Sequence, residues 1–348
     1  MTPPRPLPMG PGAPWLAPLA GYSDLAFRLL CREYGAAVCC TEMVSAKGLV
    51  YGSPGTREYL ATLEAEAPVV LQLFGPESKF MLPALDLCLS KGFEWFDINA
   101  GCPVPKVVKT GCGAALVRDE DGRSRLLQMV RDMARQLGPG RLGVKYRLGW
   151  TTGDDVAVEL ACRLEEAGAG WITLHPRHAT QGYGGQARWE AIGRVVQAVS
   201  IPVLASGDLF QPEDGVRCLE QTGAAGVMFA RGALKNPGIF EGFRRLAGTS
   251  ALPDVPLPHD SPQALAACIR RHASLAREHA SSPAQFFRMR GFIPRYVKRL
   301  PEGGTLRRRL TLCKNWEELE TIAAVIDALP AMEPVEPVEP VDLAEYMP

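Results

Sequence analysis

The chain has 348 residues, 47% of them hydrophobic and 22% charged, and its 38 basic and 38 acidic side chains cancel. That is more than one average domain, with the make-up of an ordinary globular protein. No apolar run approaches the ~20 residues of a membrane span, and the proline-rich start Met1–Gly12 lacks the apolar core of a secretory signal. Ten cysteines occur without a Cys-x-x-Cys pair, which argues against a zinc site and a disulfide scaffold. A cytoplasmic, metal-free monomer is expected.

After an N-terminal extension (1–14), eight short apolar runs recur: Trp15–Ala17, Val38–Thr41, Val69–Leu73, Trp95–Asn99, Leu142–Tyr146, Gly170–Leu174, Pro202–Ala205 and Gly226–Phe229. They are nearly continuous in hydrophobicity, as strands buried on both faces are. Amphipathic stretches such as Asp154–Gly168 and Gln211–Gly223 lie between them and end at glycine, a helix stop. Strand and helix alternating eight times over residues 15–247 predict an α/β fold, a (β/α)8 TIM barrel. A doubly wound sheet is the rival, but no Gly-x-Gly-x-x-Gly follows the first run. Residues 248–261 are proline-rich and read as a linker. Residues 262–329 have helical spacing, as in Ala264-Leu265-x-x-Cys268-Ile269-x-x-His272-x-x-Leu275-Ala276, and predict a small all-helical C-terminal domain. The last segment, 330–348, repeats Glu-Pro-Val and reads as an extended acidic tail without a catalytic role.

The neutral total hides a partition. Residues 261–315 hold 12 basic and 2 acidic side chains, a net of +10, whereas residues 316–348 hold 9 acids and no base. The helical region is therefore a candidate polyanion-binding surface; the alternative is a solvated face neutralised in part by the tail.

The active site of such a barrel lies at the C-terminal ends of its strands. The eight runs deliver Pro18-Leu19-Ala20-Gly21, Glu42, Gln72, Asp97-Ile-Asn99-Ala-Gly-Cys102-Pro103, Lys145 with Arg147, His175, Ser206-Gly207-Asp208 and Ala230-Arg231-Gly232. Polar or small residues at all eight ends point to a large polar ligand. The small residues after the last two strands suit a phosphate, with Arg231 adding charge. Cys102 is a candidate reactive thiol, with Cys112 its neighbour and rival. Lys145 could form a Schiff base or hold negative charge on a cofactor ring.

These motifs together resemble the tRNA-dihydrouridine synthases, bacterial type. The likeness rests on Ala17-Pro-Leu-Ala-Gly-Tyr-Ser-Asp24, Leu71-Gln-Leu-Phe-Gly75, Asp97-Ile-Asn-Ala-Gly-Cys-Pro103, Val144-Lys-Tyr-Arg-Leu-Gly149, His175-Pro-Arg177, Ala205-Ser-Gly-Asp208 and Met228-Phe-Ala-Arg231. Arg288, Arg290 and Tyr296 extend it into the helical part. The resemblance implies an FMN enzyme that reduces a uridine in tRNA, with NADPH as electron source. It implies Cys102 as the catalytic acid and Pro18, Leu19, Ala20, Gln72, Lys145, His175, Ser206, Gly207, Asp208, Ala230 and Arg231 as FMN-binding residues. Asn99 would line the substrate pocket, and the basic Arg288, Arg290, Arg295 and Lys298 would hold the RNA. Leu19, Ser206, Ala230 and His178 depart from the family's usual Met, Asn, Gly and Thr or Ser, and none of these removes a catalytic group. Another FMN barrel acting on a small metabolite, of dihydroorotate dehydrogenase type, is the alternative.

Overall fold

A computed structural model describes residues 7–53, 55–250, 252–280 and 285–330; the acidic repeat and residues 1–6 fall outside these. Nine parallel strands form one closed wall: β1 (Trp15–Leu16), β2 (Val38–Cys40), β3 (Val44–Ser45), β4 (Val69–Phe74), β5 (Trp95–Ala100), β6 (Leu142–Arg147), β7 (Trp171–His175), β8 (Val203–Ala205) and β9 (Gly226–Phe229). Strand β1 pairs with both β2 and β9, which closes the barrel. Every predicted run is a strand, and the chain has a (β/α)8 barrel followed by helices.

The extra strand comes from a break in the second barrel position. Cys39 and Cys40 pair with Val69 and Val70, then Val44 and Ser45 pair with Leu73 and Phe74, so the first chain carries one surplus residue. Such a surplus bends a strand and re-aims a side chain. The Thr41 hydroxyl fills the gap by accepting the Gln72 N–H at 3.2 Å, and Glu42 turns back to accept the Gly21 N–H. A two-residue strand is too short for a sequence pattern to reveal.

Two apolar layers hold the wall. Inside, Trp15 and Trp171 meet edge to face at 5.8 Å, packed with Val38, Val70, Leu204 and Met228. Gly143 makes room for them, since a Cβ there would lie 2.1 Å from the Trp171 ring. Outside, the strands pack on helices such as Glu120–Leu137 and Pro212–Thr222, and this layer continues without a gap into the C-terminal helices.

Ser261 caps the helix Pro262–Glu278, with Pro262 at its first position, as capping chemistry favours. This helix lies on the barrel helix Leu25–Glu33 and on Trp316–Asp327. Residues 248–261 are stitched down as well: buried Glu241 accepts Ser250 Oγ and Leu252 N, and Arg245 donates to the Leu252 and Val255 carbonyls.

His272 sits at the centre of the junction between barrel and helices. Its ring lies 5.7 Å from Phe27, 5.2 Å from Phe292 and 6.0 Å from Tyr296, whose hydroxyl meets Nδ1 at 2.9 Å. Burial pulls His272 down from 6.5 to about 4. The native state then binds fewer protons than the unfolded chain, so this contribution is intact above pH 6.5 and is lost as pH falls toward 4. Asp97, held up by burial at about 7, acts in the opposite sense, so the test isolates His272 by substitution. His272→Phe combined with Tyr296→Phe should lower the slope of unfolding free energy against pH by about 1.4 kcal/mol per pH unit in that window, read by denaturant unfolding at stepped pH.

Candidate active site

The C-terminal rim holds a cavity of about 90 Å3 that opens to solvent. It is lined by Pro18 and Leu19 after β1, Lys145 from β6, His175 from β7, Ser206, Gly207 and Asp208 after β8, and Ala230 and Arg231 after β9. Tyr183, from the loop after β7, covers it. Nine of the eleven residues expected to bind the cofactor thus share one cavity. Ala20 stands exposed on the turn beside it. Gln72 is fully buried, and both ends of its amide are engaged by Asp97 and Asn99.

One end of the cavity is built for an anion. Gly207 has φ +111°, and a Cβ there would lie 2.7 Å from His175 Cδ2, so only glycine allows this backbone so close to the ring. The N–H groups of Gly207, Arg231 and Gly232 donate to no acceptor among the described residues. The Asp208 carboxylate accepts Arg177 Nη2 at 2.7 Å, Arg231 Nη2 at 2.9 Å and the Ala187 N–H at 2.8 Å. Partial burial pushes Asp208 up, but these donors win and hold it below its usual range. Asp208 is therefore the anchor of Arg231, whose guanidinium lies 4.9 Å from the Tyr183 ring and 4.8 Å from Phe210.

The other end is cationic. Burial pulls the Lys145 ammonium down to about 8, against the pull of Asp97. Burial, reinforced by Arg147, Lys145, Arg177 and Arg231, forces His175 well below 6.5, which leaves a neutral imidazole at physiological pH. Arg147 is buried; its Nε donates to the Gly101 carbonyl and its Nη1 to the Gly182 carbonyl, both at 2.8 Å. It thereby ties the Cys102 loop to the Tyr183 loop.

Cys102 stands half-buried at the end of β5, beside the strand that carries Lys145. Desolvation raises its pKa further than the Val104 N–H and Arg147 lower it, so the sulfur is a protonated thiol at neutral pH. The rival Cys112 is buried, with its sulfur 3.6 Å from the Thr110 carbonyl. The rim therefore offers one thiol.

Residues 15–331 match the profile of the family described as "Dihydrouridine synthase (Dus)". The chain belongs to that family. It is 36% identical to a "Probable tRNA-dihydrouridine synthase 1" of Synechocystis over 84% of this chain and 80% of that protein. It is 40% identical to a "Probable tRNA-dihydrouridine synthase" of Treponema pallidum, covering 70% and 74%. A "tRNA-dihydrouridine synthase B" of Pseudomonas aeruginosa is 34% identical, covering 70% and 72%. Among solved structures, a morphinone reductase variant in complex with tetrahydroNAD superposes with a TM-score of 0.51 at 14% identity, over 68% of this chain and 87% of that one. An old yellow enzyme homologue from Zymomonas mobilis gives 0.50 at 13% identity, over 71% and 90%. At these identities the structures speak for the barrel fold alone.

In this dihydrouridine synthase family member the basic helical region is partly neutralised. Arg270 pairs with Glu320 and Asp327, Arg271 with Glu33, and Arg288 with Glu58 at 3.6 Å. Arg290 donates to the Thr311 carbonyl, and Arg295 lies on the Tyr22 ring and donates to its hydroxyl at 2.6 Å. Lys298 and Arg299 are exposed and make no ion pair among the described residues. Together with Arg231 and Arg295 they face Lys235: partial burial pulls that ammonium down first, and these four cations pull it further. Lys235 thus joins the cavity mouth to the basic helices. Sequence reasoning missed Lys235 and Tyr183. Their signals are faint: a lysine four residues after Arg231, and an aromatic residue inside Gly182-Tyr-Gly-Gly185 just past a rim histidine.

Among the described residues no helix is long and apolar enough to cross a membrane.

Proposed function

We propose that this chain reduces a uridine in tRNA to 5,6-dihydrouridine. FMN is the cofactor and NADPH the reductant. The family membership and the relatives' names support the reaction. The observation that carries it at the site is a neutral thiol held on the rim beside a cavity with a cationic and an anion-binding end.

The residues present fit FMN. Unused N–H groups at Gly207, Arg231 and Gly232, with Arg231 itself, suit a phosphate, and the half-buried Lys145 suits a flavin ring that carries negative charge when reduced. His175, Ser206, Pro18, Leu19 and Ala230 would shape the walls. Gln72 would support the site from behind the cavity, with its amide already engaged. When bound, the flavin supplies hydride to uracil C6 and is restored by NADPH.

The chain's own part is proton delivery and placement. Hydride at C6 builds negative charge toward C5 and O4, and the Cys102 thiol donates its proton to C5. The resulting thiolate takes a proton back from water. Asn99, beside Lys145 in register, would line the space for the base, which must leave its stack to enter. Lys235, Arg295, Lys298 and Arg299, with Arg288 and Arg290 farther out, would hold the RNA backbone.

The test is incubation of purified protein with FMN, NADPH and unmodified tRNA, followed by nucleoside mass spectrometry. Dihydrouridine formation is expected; turnover of a small metabolite without RNA would contradict the reading. RNA affinity should fall with salt. Contact with about five phosphates gives a log–log slope of roughly −3.5 to −4.5, and Lys298→Glu with Arg299→Glu should flatten it by about 2.

A further inference from the structure

Three buried side chains, one within β4 and two along β5, form a hydrogen-bonded row with a definite direction. Gln72 Nε2 donates to Asp97 Oδ2 at 2.6 Å, and Asn99 Nδ2 donates to Gln72 Oε1 at 2.8 Å. Asn99 Oδ1 then accepts the backbone N–H groups of Gly101 at 3.2 Å and Cys102 at 3.0 Å. Gln72, Asp97 and Asn99 are 0%, 3% and 6% exposed, so water does not compete for these partners.

Direction matters because a side-chain amide can turn over and present either group, whereas an ionised carboxylate only accepts. With a carboxylate at 97, Gln72 must turn Nε2 toward it and Oε1 toward Asn99. Asn99 must then offer Nδ2 to Gln72 and its oxygen to the loop. The loop end makes the same demand, because two backbone N–H groups need an acceptor. Burial holds the Asp97 carboxyl up at about 7, against the Gln72 hydrogen bond and then Lys145; above that pH the group is a carboxylate.

We propose that Asp97 is a positioning residue for the Cys102 loop, setting the orientation of Gln72 and Asn99 so that the Asn99 oxygen faces the Gly101 and Cys102 N–H groups. This rests on the reading of Cys102 as the proton donor. A side chain at 97 that cannot accept releases Gln72 to turn its Nε2 toward Asn99 Oδ1. That draws the oxygen off the loop and loosens the thiol.

An isosteric exchange tests the proposal. Asn99→Asp keeps an acceptor for the loop but places carboxylates on both sides of Gln72, one of them facing its oxygen. Adding Asp97→Asn restores a donor at 97, and the row runs in reverse, with the carboxylate now at position 99 still accepting from the loop. The readout is the rate of Cys102 alkylation by iodoacetamide in the full-length protein, followed at its peptide by mass spectrometry. Asn99→Asp should speed alkylation about tenfold, as loss of one charge-assisted hydrogen bond allows, and the exchange should return it to within about twofold of wild type. Both variants carry the same carboxylate at position 99, so its direct effect on the thiol cancels in the comparison. An exchange variant that alkylates as fast as Asn99→Asp alone overturns the proposal. If Asn99→Asp does not fold, recovery of folding in the exchange variant supports the row, and failure of both overturns it. In turnover, Asp97→Ala should lower kcat about 10- to 100-fold through misplacement of the donor, with the KM for RNA held; a raised KM at full kcat contradicts the assignment. Alkylation needs neither flavin nor RNA, so it reports on the row even if the wild-type protein makes no dihydrouridine, a result that would overturn the function instead.

Discussion

Replacing Cys102 by alanine is expected to cut dihydrouridine formation by about 10²- to 10⁴-fold, the range of a positioned general acid, while the protein still takes up FMN. The sulfur lies on the loop after β5, outside the residues that line the cavity, so cofactor affinity and reaction rate separate. Cys102→Ser should be almost as poor, because a hydroxyl is a far weaker acid than a thiol. Cys112→Ala, which alters a buried packing residue, should keep nearly full rate. The measurement is single-turnover oxidation of the reduced holoenzyme by tRNA, followed by flavin absorbance. A Cys102→Ala enzyme that turns over at the wild-type rate would remove this residue from the chemistry.

The second large effect is on stability. Arg28 and Glu66 form a two-pronged buried ion pair, Nε–Oε2 at 2.5 Å and Nη2–Oε1 at 2.9 Å, with side chains 2% and 0% exposed. Arg28 also donates to the carbonyls of Ser23 at 2.8 Å and Ala61 at 2.7 Å. It thus ties the turn after β1 to the segment before β4. Desolvation opposes its charge, but the hydrogen bond and proximity of Glu66 raise its pKa. Glu66→Ala leaves this guanidinium buried without its counter-ion and should cost about 3–5 kcal/mol, more than a deleted surface pair by several fold. Arg194→Ala, which breaks the surface pair with Asp155 at 2.8 Å, should cost no more than ~1 kcal/mol. Urea unfolding of both variants at one pH checks the contrast. Near-equal losses would mean that Arg28–Glu66 is not the lock that its burial implies.

The barrel was legible because both faces of its strands are covered. Runs such as Val69–Leu73 and Leu142–Tyr146 are therefore apolar throughout, and the residue that ends each run has only the rim to occupy. That is why Lys145, His175, Ser206, Gly207 and Arg231 could be placed at one mouth from order alone. The row from Asp97 to Cys102 was not legible. Gln72 and Asp97 lie far apart in sequence, and only the register that sets Gln72 opposite Asp97 brings them together. The same holds for Arg28 and Glu66, which meet only because the chain before β4 folds back over the first helix. Charge counting found the basic helices but not their partners. Arg270 and Arg271 are absorbed by acids on Trp316–Asp327 and on a barrel helix, while Lys235 joins the patch from the barrel, outside the +10 segment.

The most direct measurement maps dihydrouridine in tRNA from cells that lack this protein and from the same cells supplied with the wild-type chain or with Cys102→Ala. At least one tRNA position should lose the modification in the deletion, regain it with the wild-type chain and fail to regain it with the variant. An unchanged dihydrouridine map in the deletion, or full restoration by Cys102→Ala, would contradict this account.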